Sequence, residues 1–175
     1  MAAGLKKPYR QVDYSQITDS SGNALTATPT ELNKLDGVTA STAELNLTDG
    51  LAAGLSFTPA AGGANVCEVT IQVQDAAGAS LSGVFTLVVV LSDAATGVGL
   101  TGTAASGTVQ AKSASGTDLG ALTAKKALMV QTLADGSYVL EITDTENTEY
   151  YVAASIPSTG VSAVSAQLET SDYGT

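Results

Sequence analysis

Between Val66 and Gln74 the chain alternates without a break, with Cys67, Val69, Ile71 and Val73 on one side and Glu68, Thr70, Gln72 and Gln74 on the other. A period of two is the signature of a strand with one buried face, and a helix would scatter these apolar residues around its axis. Further runs occur at roughly ten-residue spacing over residues 84–92, 108–113, 119–124, 127–132, 137–143, 150–156 and 161–168. DAAGAS closes the first strand with a turn, and Asp135-Gly136 precedes the run at 137–143. The run at 84–92 is apolar on both faces, which marks either a central strand or a strand with one face covered by a neighbouring subunit.

Eight or so strands without a long helical period predict a mainly β chain with a C-terminal β-sandwich, Ig-like or jelly-roll-like, over residues 66–175. Only one cysteine is present, so packing alone must hold the sheets together. Small Ala, Ser, Thr and Gly residues suit that task. Cys67 shares parity with Val69 and Ile71 and reads as a small buried hydrophobe.

Composition removes most chemistry. With no histidine there is no Ser-His-Asp or Cys-His nucleophile system, no imidazole base and no histidine-bound zinc or haem. The net charge of −10 argues against a nucleic-acid grip, which needs a basic face. Yet 44% of the chain is apolar and 14% charged, enough hydrophobic material to fold. The start, MAAGLKKPYR, has no apolar run behind its charges, and the longest apolar stretch is too short to span a bilayer. The expectation is a chain made in the cytosol that engages no membrane.

Charge is distributed unevenly. Three of the seven basic residues, Lys6, Lys7 and Arg10, lie in the first ten positions, leaving four against all 17 acids in the rest. Residues 1–25 therefore read as an extended arm with no core of its own, either a docking peptide that orders on a partner or a disordered start. Lys6, Lys7, Tyr9 and Arg10 are its candidate attachment residues.

From Thr26 the chain repeats itself. TATPTELNKLDGV and TASTAELNLTDGL align at an offset of thirteen with seven identities. Each unit opens on a capping box, Thr28-Pro29-Thr30-Glu31 and Ser41-Thr42-Ala43-Glu44, and closes on a glycine, Gly37 and Gly50. Two short helices are expected, but each is far below the ~12–15 residues at which an isolated helix becomes more than marginal. Leu32, Leu35, Leu45 and Leu47 are too few for a core within one chain. Several copies meeting around an axis would supply it, making 26–56 an oligomerisation region; the alternative is a local helical hairpin packed on the next domain. LAAGLSFTPAAGGAN then reads as a connector, with the linker placed at 57–65.

No other motif carries chemistry. Gly97-Val98-Gly99-Leu100-Thr101-Gly102 matches GxGxxG, but the residues after it read as a loop entering a strand, not a helix that could receive pyrophosphate. Asp144-Thr145-Glu146-Asn147 lacks EF-hand spacing and reads as a solvated turn. Tyr150 and Tyr151 point to opposite faces, one to the core and one to the rim. The expectation is no catalytic residue, no cofactor and no metal.

The doublet TPTELNKLDGVTASTAELN closely resembles the AELNKLDGVTA repeat of bacteriophage fibre and head-appendage proteins. The segments FTLVVVLSDAATG, KKALMVQTLADGSYVLEITD and EYYVAAS resemble the C-terminal β domain of phage head fibre or capsid decoration proteins, and also bacterial Ig-like modules. The resemblance covers residues 26–168. It implies a homotrimeric, non-enzymatic virion protein on the capsid surface, whose arm docks on the major capsid protein and whose β domain projects. A short tail fibre or glycan-binding appendage is the alternative.

Overall fold

The computed structural model describes residues 18, 21–24, 26–28, 30 and 50–175. They belong to two units, Met1–Ser41 and Thr42–Thr175. In the first, Thr18 and Ala24 form an antiparallel bridge. The arm residues Lys6, Lys7, Tyr9 and Arg10, and the repeat leucines Leu32, Leu35, Leu45 and Leu47, lie outside the described residues, as do the bodies of both expected helices.

The second unit is a two-layer antiparallel sandwich. Its strands are β1 (Gly54–Ala61), β2 (Val66–Gln74), β3 (Thr86–Ser92), β4 (Val109–Ala111), β5 (Thr117–Thr123), β6 (Ala127–Gln131), β7 (Ser137–Thr143), β8 (Tyr151–Ile156) and β9 (Val161–Gln167). One sheet has the order β1-β2-β7-β4 and the other β5-β6-β3-β8-β9. The alternation in β2 appears as burial: Cys67, Val69, Ile71 and Val73 are all fully buried, while the residues between them are half-exposed. In β7, Tyr138, Leu140 and Ile142 do the same beside them, in the register Cys67↔Ile142, Val69↔Leu140 and Ile71↔Tyr138. Leu87, Val89 and Leu91 of β3 and Val152, Ala154 and Ile156 of β8 supply the facing layer. Both inner faces thus come from strands whose side chains alternate, and their burial removes these rows from water together.

Strand β3 is central in its sheet, between β6 and β8, which accounts for part of its apolar character on both faces. Asp135-Gly136 makes the expected turn: the Asp135 carboxylate accepts from Ser137 N–H (3.0 Å) and Oγ–H (2.6 Å), and Gly136 takes φ +80°. A Cβ there would lie 2.0 Å from the Leu81 carbonyl oxygen, so the position requires glycine.

Residues expected to end the repeat region and form the linker instead contain β1, which pairs with β2 from Gly54↔Gln74 to Ala61↔Cys67. Its inward positions are Leu55, Phe57 and Pro59, and its outward ones Gly54, Ser56, Thr58 and Ala60. Glycine, proline and alanine blur the alternation, while the edge position tolerates a proline without N–H. The other sheet edges are closed in different ways. β5 carries register shifts at Asp118/Gly120 and Ala121/Thr123, leaving Leu119 and Leu122 as extra, exposed residues that interrupt the ladder. β9 lies against β1 across one side of the sandwich.

Ile71→Ala removes a fully buried side chain at the centre of the inner layer, and chemical denaturation should report a loss of about 2–5 kcal/mol. Thr70→Ala, one residue away on the outer face, should change stability by less than about 0.5 kcal/mol.

Candidate functional site

Most carboxylates in the loops of the described residues are committed to the fold, accepting from backbone amides. The expected solvated turn is present, with Thr145 and Glu146 exposed, but Asp144 at its start is 1% exposed, a correction to that residue's expected place in solvent. Its Oδ1 accepts from Ser106 N–H (3.1 Å) and its Oδ2 from Thr148 N–H (3.0 Å), with the Tyr150 hydroxyl at 3.4 Å. Burial alone would push this carboxyl up, but the hydrogen bonds from Thr148 and Ser106 outweigh it and hold it at about 2. The group therefore stays ionised inside the protein, tying the β7–β8 corner to the loop before β4.

The GxGxxG segment is the connection between β3 and β4. Gly102 N–H donates to Asp93 Oδ2 (2.7 Å) and the Thr101 hydroxyl to Asp93 Oδ1 (2.6 Å). These bonds hold the Asp93 carboxyl below its ordinary range. An amide that the motif would offer to a phosphate already serves the protein's own anion. Asp118, on β5, accepts from Ala111 N–H (2.9 Å) and from the Tyr138 hydroxyl (2.8 Å), joining β4, β5 and β7.

Three lysines are described, and each has an internal partner. Lys112 Nζ pairs with Glu68 Oε2 at 2.6 Å. Lys125 Nζ donates to the Ser106 carbonyl (2.9 Å), and Lys126 Nζ to the carbonyls of Thr101 (2.8 Å) and Gly102 (2.9 Å). Cys67 is fully buried, and burial, with the charges of Asp172 and Glu68, pushes its thiol up to about 12. It is a packing residue, not a nucleophile.

The outer surface of the five-stranded sheet carries a shaped feature. A shallow groove of about 250 Å³ runs over Val88 and Val90 of β3, Ala153 and Ser155 of β8 and Val164 of β9. Residues 96–98 of the β3–β4 loop form its wall. Gly97, at φ +67°, rests directly on the sheet: a Cβ would lie 2.6 Å from Val164 Cγ2 and 2.8 Å from the Ala153 Cβ. Only glycine brings the backbone this close. The apolar run at 84–92 signalled an unusual outer face, but nothing local announced a loop folding onto it.

Tyr150 is fully buried and Tyr151 half-exposed with its hydroxyl 3.2 Å from Gln167 Oε1, the expected division between core and rim. The sequence-derived attachment and oligomerisation residues fall outside the described residues, so this geometry neither groups nor separates them. No family model matches the chain, and no curated protein matches it in sequence.

Because the folded Asp144 carboxyl titrates below the unfolded value of 3.8, its contribution is complete above about pH 4 and is lost as pH falls toward 2. Asp93 and Asp135, also held below their ordinary range, lose stability in the same window, so the native chain should lose about 2 kcal/mol more across it than Asp144→Asn, which should also be less stable at pH 7.

Proposed function

We propose that the chain is a non-enzymatic bacteriophage virion protein, a homotrimeric head fibre or capsid decoration protein bound to the major capsid protein by its N-terminal arm. One observation carries the proposal: the thirteen-residue repeat that resembles phage fibre and head-appendage repeats ends at Leu51, and the first strand of an all-β sandwich begins at Gly54. A module that joins copies thus runs directly into a module to be displayed. Short helices that are marginal alone gain stability when several chains share a core, and joined copies multiply weak arm contacts through effective concentration. The protein would be made in the host cytoplasm and reside on the capsid surface.

The sandwich itself we assign to the Ig-like class. Strands β1, β2, β3, β4, β7, β8 and β9 follow the chain order and sheet allocation of a constant-type Ig domain, with the β5–β6 hairpin inserted between the fourth and fifth strands.

A glycan-binding appendage is the competing role. Sugar sites use exposed aromatic faces, whereas every aromatic side chain among the described residues is buried or half-buried. This favours display over sugar capture.

Light scattering on the purified chain is expected to give three times the monomer mass of 17.4 kDa. Deletion of residues 1–25 should leave that mass ratio intact and abolish binding to particles lacking the protein; retained binding would move the docking site out of the arm. A monomer at micromolar concentration would remove the trimer.

A further inference from the structure

The two outer faces of the sandwich differ in kind. On the four-stranded sheet the outward positions include Glu68 and Glu141, with Lys112 reaching Glu68. On the five-stranded sheet, Val88 and Val90 of β3, Met129 of β6, Ala153 and Ser155 of β8 and Val164 of β9 point outward, and no outward strand position carries Asp, Glu, Lys or Arg. Two valines stand where the matching strand β2 places polar residues. Val98, 77% exposed, rises at the rim of the groove.

We propose that this face packs against the β domain of a second copy of the same chain. The inference rests on the oligomer proposed above and names the surface by which its β domains meet. Charge selects the occupant. The chain carries −10, and each described lysine is bonded within its own protein, so most approaches between two copies bring carboxylates together. The valine face lets copies touch without burying a charge. The same property leaves nothing for a basic peptide or a phosphate backbone to grip.

Size supports a tethered contact. Five strands of up to seven residues span at most roughly 20 Å by 20 Å, about 400 Å², and residues 96–98 already cover the part over Ala153 and Val164, against the ~800 Å² per partner of a free-standing stable interface. Such a patch holds only where the copies are already joined, as the repeat would join them, since tethering replaces bimolecular association with a local equilibrium. Addition at the β5 edge is opposed by its two irregularities, so the face and not that edge makes the contact.

The test uses the full-length chain bearing a single new cysteine, Ser155→Cys on this face or Thr70→Cys on the opposite one. Both positions are half-exposed in the single chain, and Cys67 is buried. Maleimide labelling of the oligomer should be at least ~10-fold slower at residue 155 than at residue 70, and Val90→Lys should equalise the rates while sedimentation still reports the same oligomer. An oligomer whose two positions label equally fast overturns this proposal and leaves the trimer standing. A monomer overturns both. If Val90→Lys does not fold, the comparison between residues 155 and 70 in the otherwise unchanged chain decides by itself.

Discussion

The inner faces of β2 and β7 bury Cys67, Val69, Ile71, Val73, Tyr138, Leu140 and Ile142 against the aliphatic rows of β3 and β8, and everything else in the sandwich depends on that burial. With one cysteine, itself part of the core, no covalent bridge joins the sheets. Each fully buried aliphatic side chain contributes about 1.5–3 kcal/mol relative to exposure, much of it offset by the entropy lost in ordering the chain. The layer is also what brings distant strands together. β2 and β7 are far apart in sequence yet pair over seven positions, and only shared burial makes that long closure favourable.

Once the layers are formed, the acids acquire a second meaning. Asp75, Asp93, Asp135 and Asp144 each accept hydrogen bonds from backbone amides of a turn or a neighbouring loop, the Asp75 carboxylate from Ala77 and Ala79, and Asp118 accepts from strand β4. Short aspartate side chains bond local backbone readily, which is why they favour turns. Much of the acidic composition therefore serves as loop staples. The acids that remain at the surface set a field that discourages close approach, and it gives the uncharged valine face its distinction.

Most strands were legible because their apolar residues alternate or run continuously between turn signals. The seven residues of β7 coincide with the expected run at 137–143, and β8 starts one residue after its expected position. β1 was hidden because Gly54, Pro59 and the alanines give it a connector's composition; its strand character comes from pairing with β2. Asp144 departs from its local pattern for a related reason. A carboxylate between polar residues reads as solvated, and only the convergence of residues 106 and 148 in space supplies the amides that permit its burial. For the candidate surface, the doubled apolar character of 84–92 was visible, whereas the seating of Gly97 on Ala153 and Val164 was not.

By itself the sequence determined the all-β class, the positions of most strands, the fate of Cys67 and the division between Tyr150 and Tyr151, because each follows from local periodicity and side-chain volume. It also contains the thirteen-residue repeat and the basic start on which the proposed assembly rests. Tertiary structure alone decided which strands neighbour one another, which carboxylates are tied inward and which outer face is left without charge. Those outcomes depend on residues tens of positions apart meeting across two sheets, and no local pattern encodes such a meeting before the layers have closed.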